Sequence, residues 1–219
     1  MFKYFRIGNT MVTVVEFSMR IISVVIVFLM FTGNVFGKTI TSVHGFKYKM
    51  PDNYKLLNNI NIQDIKKIVQ NGNSNESLLG LLAALEKQME NVKIEYLFYI
   101  DWGGDAISFT SAPRKDVEIN NTNIQTFCNA QLQILQNSAK KKIEGYDCFL
   151  SSLPQKASWA VMTNYVNPFT NNPTNYYSVE FASSSFSGKR FVVSLICGPD
   201  YCSKLTDDFL KVLKSISFD

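Results

Sequence analysis

The sequence predicts an α+β domain in which an antiparallel, meandering sheet of about six to seven strands packs with helices. Short stretches of alternating apolar and polar residues recur along the chain and are bounded by turns containing Gly, Pro or Asn. Stretches with apolar residues at helical spacing lie between them. No repeat or linker divides residues 38–219, which are enough for one domain with a sizeable core.

Residues 1–37 have the pattern of a secretory signal peptide. Arg20 precedes an unbroken apolar run over residues 21–31, and Val35 and Gly37 supply the small residues that precede a cleavage site. We therefore predict cleavage after Gly37 and a single α+β domain over residues 38–219. This predicts an exported protein, periplasmic or secreted.

The apolar run is too short for an ordinary membrane span. Crossing a bilayer takes roughly 20 apolar residues, whereas this run has about 11. We expect no stable membrane span after cleavage, and an uncleaved single-pass anchor is the alternative. The sequence leaves open whether translation starts at Met1, Met11 or Met19.

The N-terminal half of the domain predicts strands and helices in alternation. Residues 45–50 alternate and stop at Pro51, which is typical of a first strand. Apolar positions 62, 65, 68 and 69 predict a helix, and a second helix rich in Leu and Ala follows over residues 76–89. Strands are then predicted at residues 94–100 and 106–110, joined by a hairpin turn at residues 101–105.

The C-terminal half predicts a helix, four strands and a closing helix. The first helix starts at Asn121 or Thr122, because Thr122 and Gln125 have the spacing of a capping box. The closing helix, residues 206–216, has Thr206 as its N-cap and acidic residues in its first turn. The four strands between them are predicted at residues 146–153, 157–166, 176–182 and 190–197.

The four cysteines predict two disulfides, because an even number in an exported chain favours pairing. Of the three possible pairings we favour a local Cys197–Cys202 bridge, which closes a turn at Gly198 and Pro199. Cys128–Cys148 then follows by elimination. A zinc site is disfavoured because no CxxC pair exists and the chain has one histidine.

The opening and closing segments resemble the PsbP/Mog1-like α/β/α sandwich family. The chain shares with that family an opening strand that runs into a Pro-x-x-aromatic segment and a final helix followed by a Ser-Phe end. The resemblance implies a sandwich fold and a non-catalytic accessory or binding role. The residues that carry it are Phe46, Pro51, Tyr54, Phe209, Ile216, Ser217 and Phe218.

Charge and motif content argue against several kinds of chemistry. Removing residues 1–37 takes away three basic residues and one acidic residue and leaves 19 against 17, a net charge of +2, so we expect no nucleic-acid partner. His44 lies close to the cleavage site, where we expect a mobile segment that cannot hold a catalytic base. Asp101 and Asp105 are interpreted as turn formers, because calcium needs six to eight oxygens. We predict no enzyme activity, no cofactor and no metal.

Aromatic residues near the loop at residues 167–175 form the candidate binding site. Exposed aromatic side chains rimmed by Asn and Ser are typical of surfaces that bind proteins or glycans. The leading hypothesis is an accessory protein of the cell envelope that acts through contacts with another protein. A carrier of a small apolar or lipid-like ligand and an exported hydrolase are the alternatives. The predicted patch consists of Tyr165, Phe169, Tyr176 and Tyr177.

Overall fold

The structure, a computed structural model, describes residues 4–7, 10–13, 37–71, 76–99, 105–113, 117–139, 142–169 and 174–218. Two short strands, β1 (Tyr4–Ile7) and β2 (Thr10–Thr13), pair antiparallel within the predicted signal peptide. The apolar core of that predicted peptide lies outside the described residues. Within the described ranges no helix has the length and apolar character needed to cross a membrane.

A seven-stranded antiparallel sheet forms the centre of the fold, as the alternating pattern predicts. Its spatial order is β5-β6-β7-β11-β10-β9-β8, so β5 and β8 are its edges. The strands are β5 (Tyr54–Asn58), β6 (Ile94–Tyr99), β7 (Ala106–Pro113), β8 (Glu144–Leu150), β9 (Trp159–Val166), β10 (Asn175–Ala182) and β11 (Lys189–Cys197).

One face of the sheet carries the main core. The C-terminal helix α4 and a small hairpin of β3 and β4 cover it. Backbone hydrogen bonds in both directions between Lys47 and Ser217 join this hairpin to the end of the chain. These covering elements are β3 (Thr39–Thr41), β4 (Lys47–Lys49) and α4 (Cys202–Ser215).

The opposite face is covered at its two ends by different helices. Side chains alternate between faces along a strand, so Ile94 and Trp159 lie opposite their main-core neighbours Leu97 and Ala160. The helices α1 (Ile62–Asn71) and α2 (Glu76–Asn91) cover the β5–β6 end. Helix α3 (Ile124–Ala139) covers the β8–β9 end with a third, smaller core.

Two predicted helix starts are wrong, for local reasons. Helix α4 begins at Cys202, so Thr206 lies inside it and its hydroxyl donates to the Cys202 carbonyl at 2.6 Å. Helix α3 begins at Ile124, and the turn before it is held by Asn120 and Asn123 instead of the Thr122–Gln125 box. The short strands β3 and β5 were not predicted from the sequence.

Candidate functional site

An open cleft of about 350 Å³ lies where the third core meets the surface. One wall is the segment that precedes α3, and the other is the loop that joins β8 to β9. The end of β8 and the start of β9 form the floor. The lining residues are 118–121, 150–152, 154 and 156–160.

An asparagine turn shapes the wall that precedes α3. The Asn123 carboxamide oxygen accepts the Asn120 backbone N–H at 2.8 Å, and its nitrogen donates to the Glu118 carbonyl at 2.7 Å. The Asn120 side chain in turn accepts the Thr122 N–H at 2.9 Å. Asparagine suits this position because its short side chain can replace backbone partners in a tight turn.

The opposite wall is a loop held by its own hydrogen bonds. Ser151 Oγ accepts the Leu153 N–H at 3.1 Å, and the Leu153–Pro154 peptide bond is cis. Lys156 adopts a left-handed conformation, with φ of 62°. The Ser158 N–H and hydroxyl both donate to the Ala182 carbonyl, at 2.7 and 2.9 Å, which fixes the end of the loop to β10.

Trp159 lines the floor of this cleft and carries a buried hydrogen-bond donor. Its side chain is only 7% exposed and packs with Ile119, Val161 and Ala182. The buried indole Nε1–H has no hydrogen-bond partner among the described residues. A buried donor without a partner costs free energy, about 1–3 kcal/mol. Since Trp159 also lines the cleft, its buried donor and the cleft belong to the same part of the fold.

A disulfide connects the two walls. Cys128 of α3 bonds to Cys148 of β8, with Cα atoms 5.8 Å apart, which is the pairing that the sequence predicts. Tyr146 reinforces the connection, since its hydroxyl donates to the Cys128 carbonyl at 2.8 Å. The segment before α3 and the loop after β8 are therefore covalently linked through the elements that carry them.

The second disulfide belongs to a different part of the fold. Cys197 at the end of β11 bonds to Cys202 at the start of α4, with Cα atoms 5.2 Å apart, as predicted. It closes the Gly198–Tyr201 turn, in which the Tyr201 N–H donates to the Gly198 carbonyl at 3.2 Å. Asp105 accepts the Gly198 N–H at 3.2 Å, and its predicted partner Asp101 lies outside the described residues.

The four aromatic residues of the predicted patch do not share one exposed surface. Tyr165 is buried and its ring packs at a tilt against half-buried Tyr176, with 4.9 Å between ring centroids, and the Tyr176 hydroxyl bonds Ser194 Oγ at 2.7 Å. Tyr177 points to the opposite face and packs against the main core. Phe169 is half-buried in the loop that follows β9.

His44 is buried, so the expectation of a mobile segment around it is wrong. Its Nε2 lies 3.0 Å from the Phe109 carbonyl oxygen and its Nδ1 lies 3.0 Å from Ser111 Oγ. Burial lowers the pKa of His44 and favours the neutral ring. Since a carbonyl only accepts, Nε2 donates to Phe109 and Nδ1 accepts from Ser111. Both ring nitrogens are thus satisfied within the hairpin and β7.

Glu95 is a fully buried carboxyl group in the main core. It accepts the Val43 N–H at 3.2 Å and the Asn58 side chain at 3.4 Å. The Tyr48 hydroxyl faces the same carboxyl group outside ideal hydrogen-bond geometry. Burial raises the pKa of Glu95, and these donors oppose the rise without cancelling it.

Glu95→Gln is expected to remove a pH dependence of stability. A carboxyl group with a raised pKa in the folded chain stabilises it at low pH and loses that contribution as pH rises above 4.5, the ordinary value. The variant should therefore match the wild type near pH 4 and become the more stable of the two as pH rises. Urea unfolding at a series of pH values measures this difference.

The matched control for this substitution is Glu90→Gln, on an exposed position of α2. A pH-independent difference between Glu95→Gln and the wild type would contradict the expected result.

Among the described residues no group of three or more His, Cys, Asp or Glu side chains is arranged to hold a metal ion.

The cleft was missed because its walls are distant in sequence. The Trp159 ring lies in the third core, and its unpaired indole N–H becomes visible only in three dimensions. The asparagine-rich segment before α3 was the available signal, since such a cluster predicts a shaped turn.

Comparison with known proteins supports the fold. No protein-family model matches the chain, and no curated protein matches it. A solved structure that does match is the solution structure of cyanobacterial PsbP (CyanoP) from Synechocystis sp. PCC 6803. The match covers 86% of this chain and 96% of that chain, with a TM-score of 0.52 and 10% sequence identity. The resemblance to the PsbP-like fold drawn from the opening and closing segments is thus confirmed at the level of fold.

Proposed function

We propose that this chain is an exported, non-catalytic accessory protein that binds a segment of another envelope protein in the cleft beside Trp159. The observation that carries the proposal is a cleft lined by Trp159, whose buried N–H is unpaired among the described residues, with walls carried by elements that Cys128–Cys148 joins. A cleft whose walls are carried by covalently joined elements and lined by polar groups suits recognition of a polar, extended segment such as a peptide.

The lining of the cleft favours a protein segment over a lipid-like ligand. Seven of its thirteen residues are polar or charged, including Glu118 on one wall and Lys156 on the other. A carrier of apolar ligands needs a mostly apolar cavity, because each buried polar group without a partner costs free energy. The polar walls offer a peptide several hydrogen-bonding partners, and Trp159, Ile119 and Leu150 offer it apolar contact.

Export is supported by the leader pattern and by the disulfides. Disulfides form and persist in oxidising compartments, and the described fold uses all four cysteines in two bridges. The non-catalytic assignment is supported by the position of His44, whose nitrogens are occupied by a carbonyl and by Ser111. The PsbP-like fold is compatible with both assignments.

Selection of binding peptides from a displayed library of random 12-residue sequences tests this proposal. Selection on the oxidised full chain is expected to return peptides whose binding is lost, by at least about tenfold, in Ser152→Phe, which fills the cleft from an exposed wall position. Binding is also expected to change the fluorescence of Trp159, read in a Trp102→Phe background because the chain has two tryptophans.

The matched control is Ser203→Phe, the same substitution at an exposed position of α4. It should leave affinity unchanged, because α4 covers the other face of the sheet. Peptides that bind both serine variants as well as the wild type would show that the cleft is not the recognition site. A library that returns no peptide sensitive to Ser152→Phe would reject the proposed function.

A further inference from the structure

Strand β8 is an edge of the central sheet and ends at the cleft. Within the described residues it has a strand neighbour on one side, β9, and its other side is unpaired. An unpaired edge presents backbone N–H and C=O groups that can accept another strand. Leu150, the last residue of β8, also lines the cleft.

The register of β8 against β9 identifies which backbone groups face the open side. The Ser151 N–H donates to the Ala160 carbonyl at 2.8 Å, so residue 151 points inward. Hydrogen-bonded positions alternate along an antiparallel pair, and Phe149 opposite Met162 therefore also points inward. The N–H and C=O groups of Cys148 and Leu150 consequently point outward, toward the open edge.

The open ladder is confined to the end of β8 next to the cleft. A bulge interrupts the pairing between Glu144 and Asp147, and Gly145 within it adopts a left-handed conformation with φ of 61°. Bulges disrupt a regular edge and limit indiscriminate pairing. The Cys128–Cys148 bridge fixes the regular part to α3, so the two outward positions are held in place before any partner arrives.

The side chains along this edge indicate the partner's character. Phe149 is 41% exposed and offers an aromatic surface for a cross-strand contact. Glu144 and Asp147 are exposed on the same strand, and Glu118 adds a carboxylate at the cleft. Positive charge is also present, since Lys142 lies two residues before Glu144 and Lys156 lines the cleft.

We infer that the partner segment is extended and basic, an inference that rests on the proposed function. The segment adds as a further strand beside Cys148 and Leu150, with its end in the cleft. Main-chain hydrogen bonds supply affinity in this mode of recognition, and the alternating side chains supply specificity. Lysine or arginine residues of the segment face Glu144 and Asp147, and its end reaches the Trp159 floor.

The test uses a peptide selected as above and measures amide exchange on the oxidised full chain. The amides of Cys148 and Leu150 should exchange at least about tenfold more slowly when the peptide is bound. The Phe149 amide, which points inward, is the internal control and should not change. Two versions of the peptide, N-methylated on alternate residues, should differ, because only the amides that face β8 are needed.

Each other outcome rejects the inference in a recognisable way. Peptide binding that is sensitive to Ser152→Phe, with unchanged Cys148 and Leu150 exchange and equal affinity of both methylated peptides, would overturn strand addition and leave the proposed function standing. A library without any such peptide would overturn both. Protection of Cys148 and Leu150 that grows with protein concentration in the absence of peptide would assign the edge to a second copy.

The charge component has its own readout in the same assay. Glu144→Gln combined with Asp147→Asn should weaken peptide binding about threefold to tenfold at low salt, and added salt should reduce the difference. Asp207→Asn, an exposed change on α4, is the matched control and should have no effect. Unchanged affinity in the double variant would show that the segment is not selected for basic residues.

Discussion

Phe46→Ala is expected to lower the free energy of unfolding by about 3–5 kcal/mol. The side chain is 1% exposed and lies where the β3–β4 hairpin meets the sheet and the end of the chain. Truncating a phenylalanine at such a position removes buried apolar area and leaves a cavity that rigid neighbours cannot fill. Its ring centroid lies 5.4–6.4 Å from those of Tyr48, Phe109, Phe181, Phe191 and Phe218.

Urea unfolding of the oxidised chain measures this loss, with Phe149→Ala as the matched control. Phe149 is 41% exposed at the sheet edge, so the same truncation there should cost less than about 1 kcal/mol. Similar losses in the two variants would show that the hairpin contributes little to the core. That result would contradict the position of residues 39–49 as part of the folded domain.

The hairpin also explains why the N-terminal part of the domain was only partly predictable. Strand β3 has three residues, too few to show a period, and its pairing with β4 depends on a turn at Gly45 with φ of 100°. The Phe186 ring lies 3.0 Å from the position of a Cβ at Gly45, so a close approach adds to the demand for glycine. Such tertiary demands leave no periodic signal in the sequence.

Longer elements were predictable because their periods are repeated several times. Helices α1 and α2 and strands β9–β11 lie close to the predicted ranges. Helix starts were less predictable, since Thr206 is a good N-cap by residue type while the Cys197–Cys202 turn sets the actual start at Cys202. The covalent constraint outweighs the local capping preference in this case.

The candidate site was less predictable than the fold, for a physical reason. Exposed aromatic residues were predicted from composition, but strand register decides which face each one occupies, and it places Tyr177 opposite Tyr165 and Tyr176. The cleft depends on two segments about 30 residues apart in sequence that the Cys128–Cys148 bridge brings together. Cysteine pairing was predictable, whereas the space between the paired elements was not.

Replacing both Cys128 and Cys148 with alanine is expected to lower the free energy of unfolding by about 3 kcal/mol and to weaken peptide binding in the cleft. The bridge spans 20 residues, and a loop of this length gives about that stabilisation by restricting the unfolded chain. Replacing Cys197 and Cys202, which are 5 residues apart, should cost about 2 kcal/mol and leave the cleft unchanged.

Urea unfolding of the two double variants measures the stability that each bridge contributes. Thiol alkylation of the natively expressed wild type checks that both bridges form, because that chain should contain no reactive thiol. Of the two bridges, Cys128–Cys148 joins the elements that carry the cleft walls, so its loss should be the one that weakens peptide binding. Equal peptide affinity in both double variants would show instead that this bridge stabilises the fold without shaping the cleft.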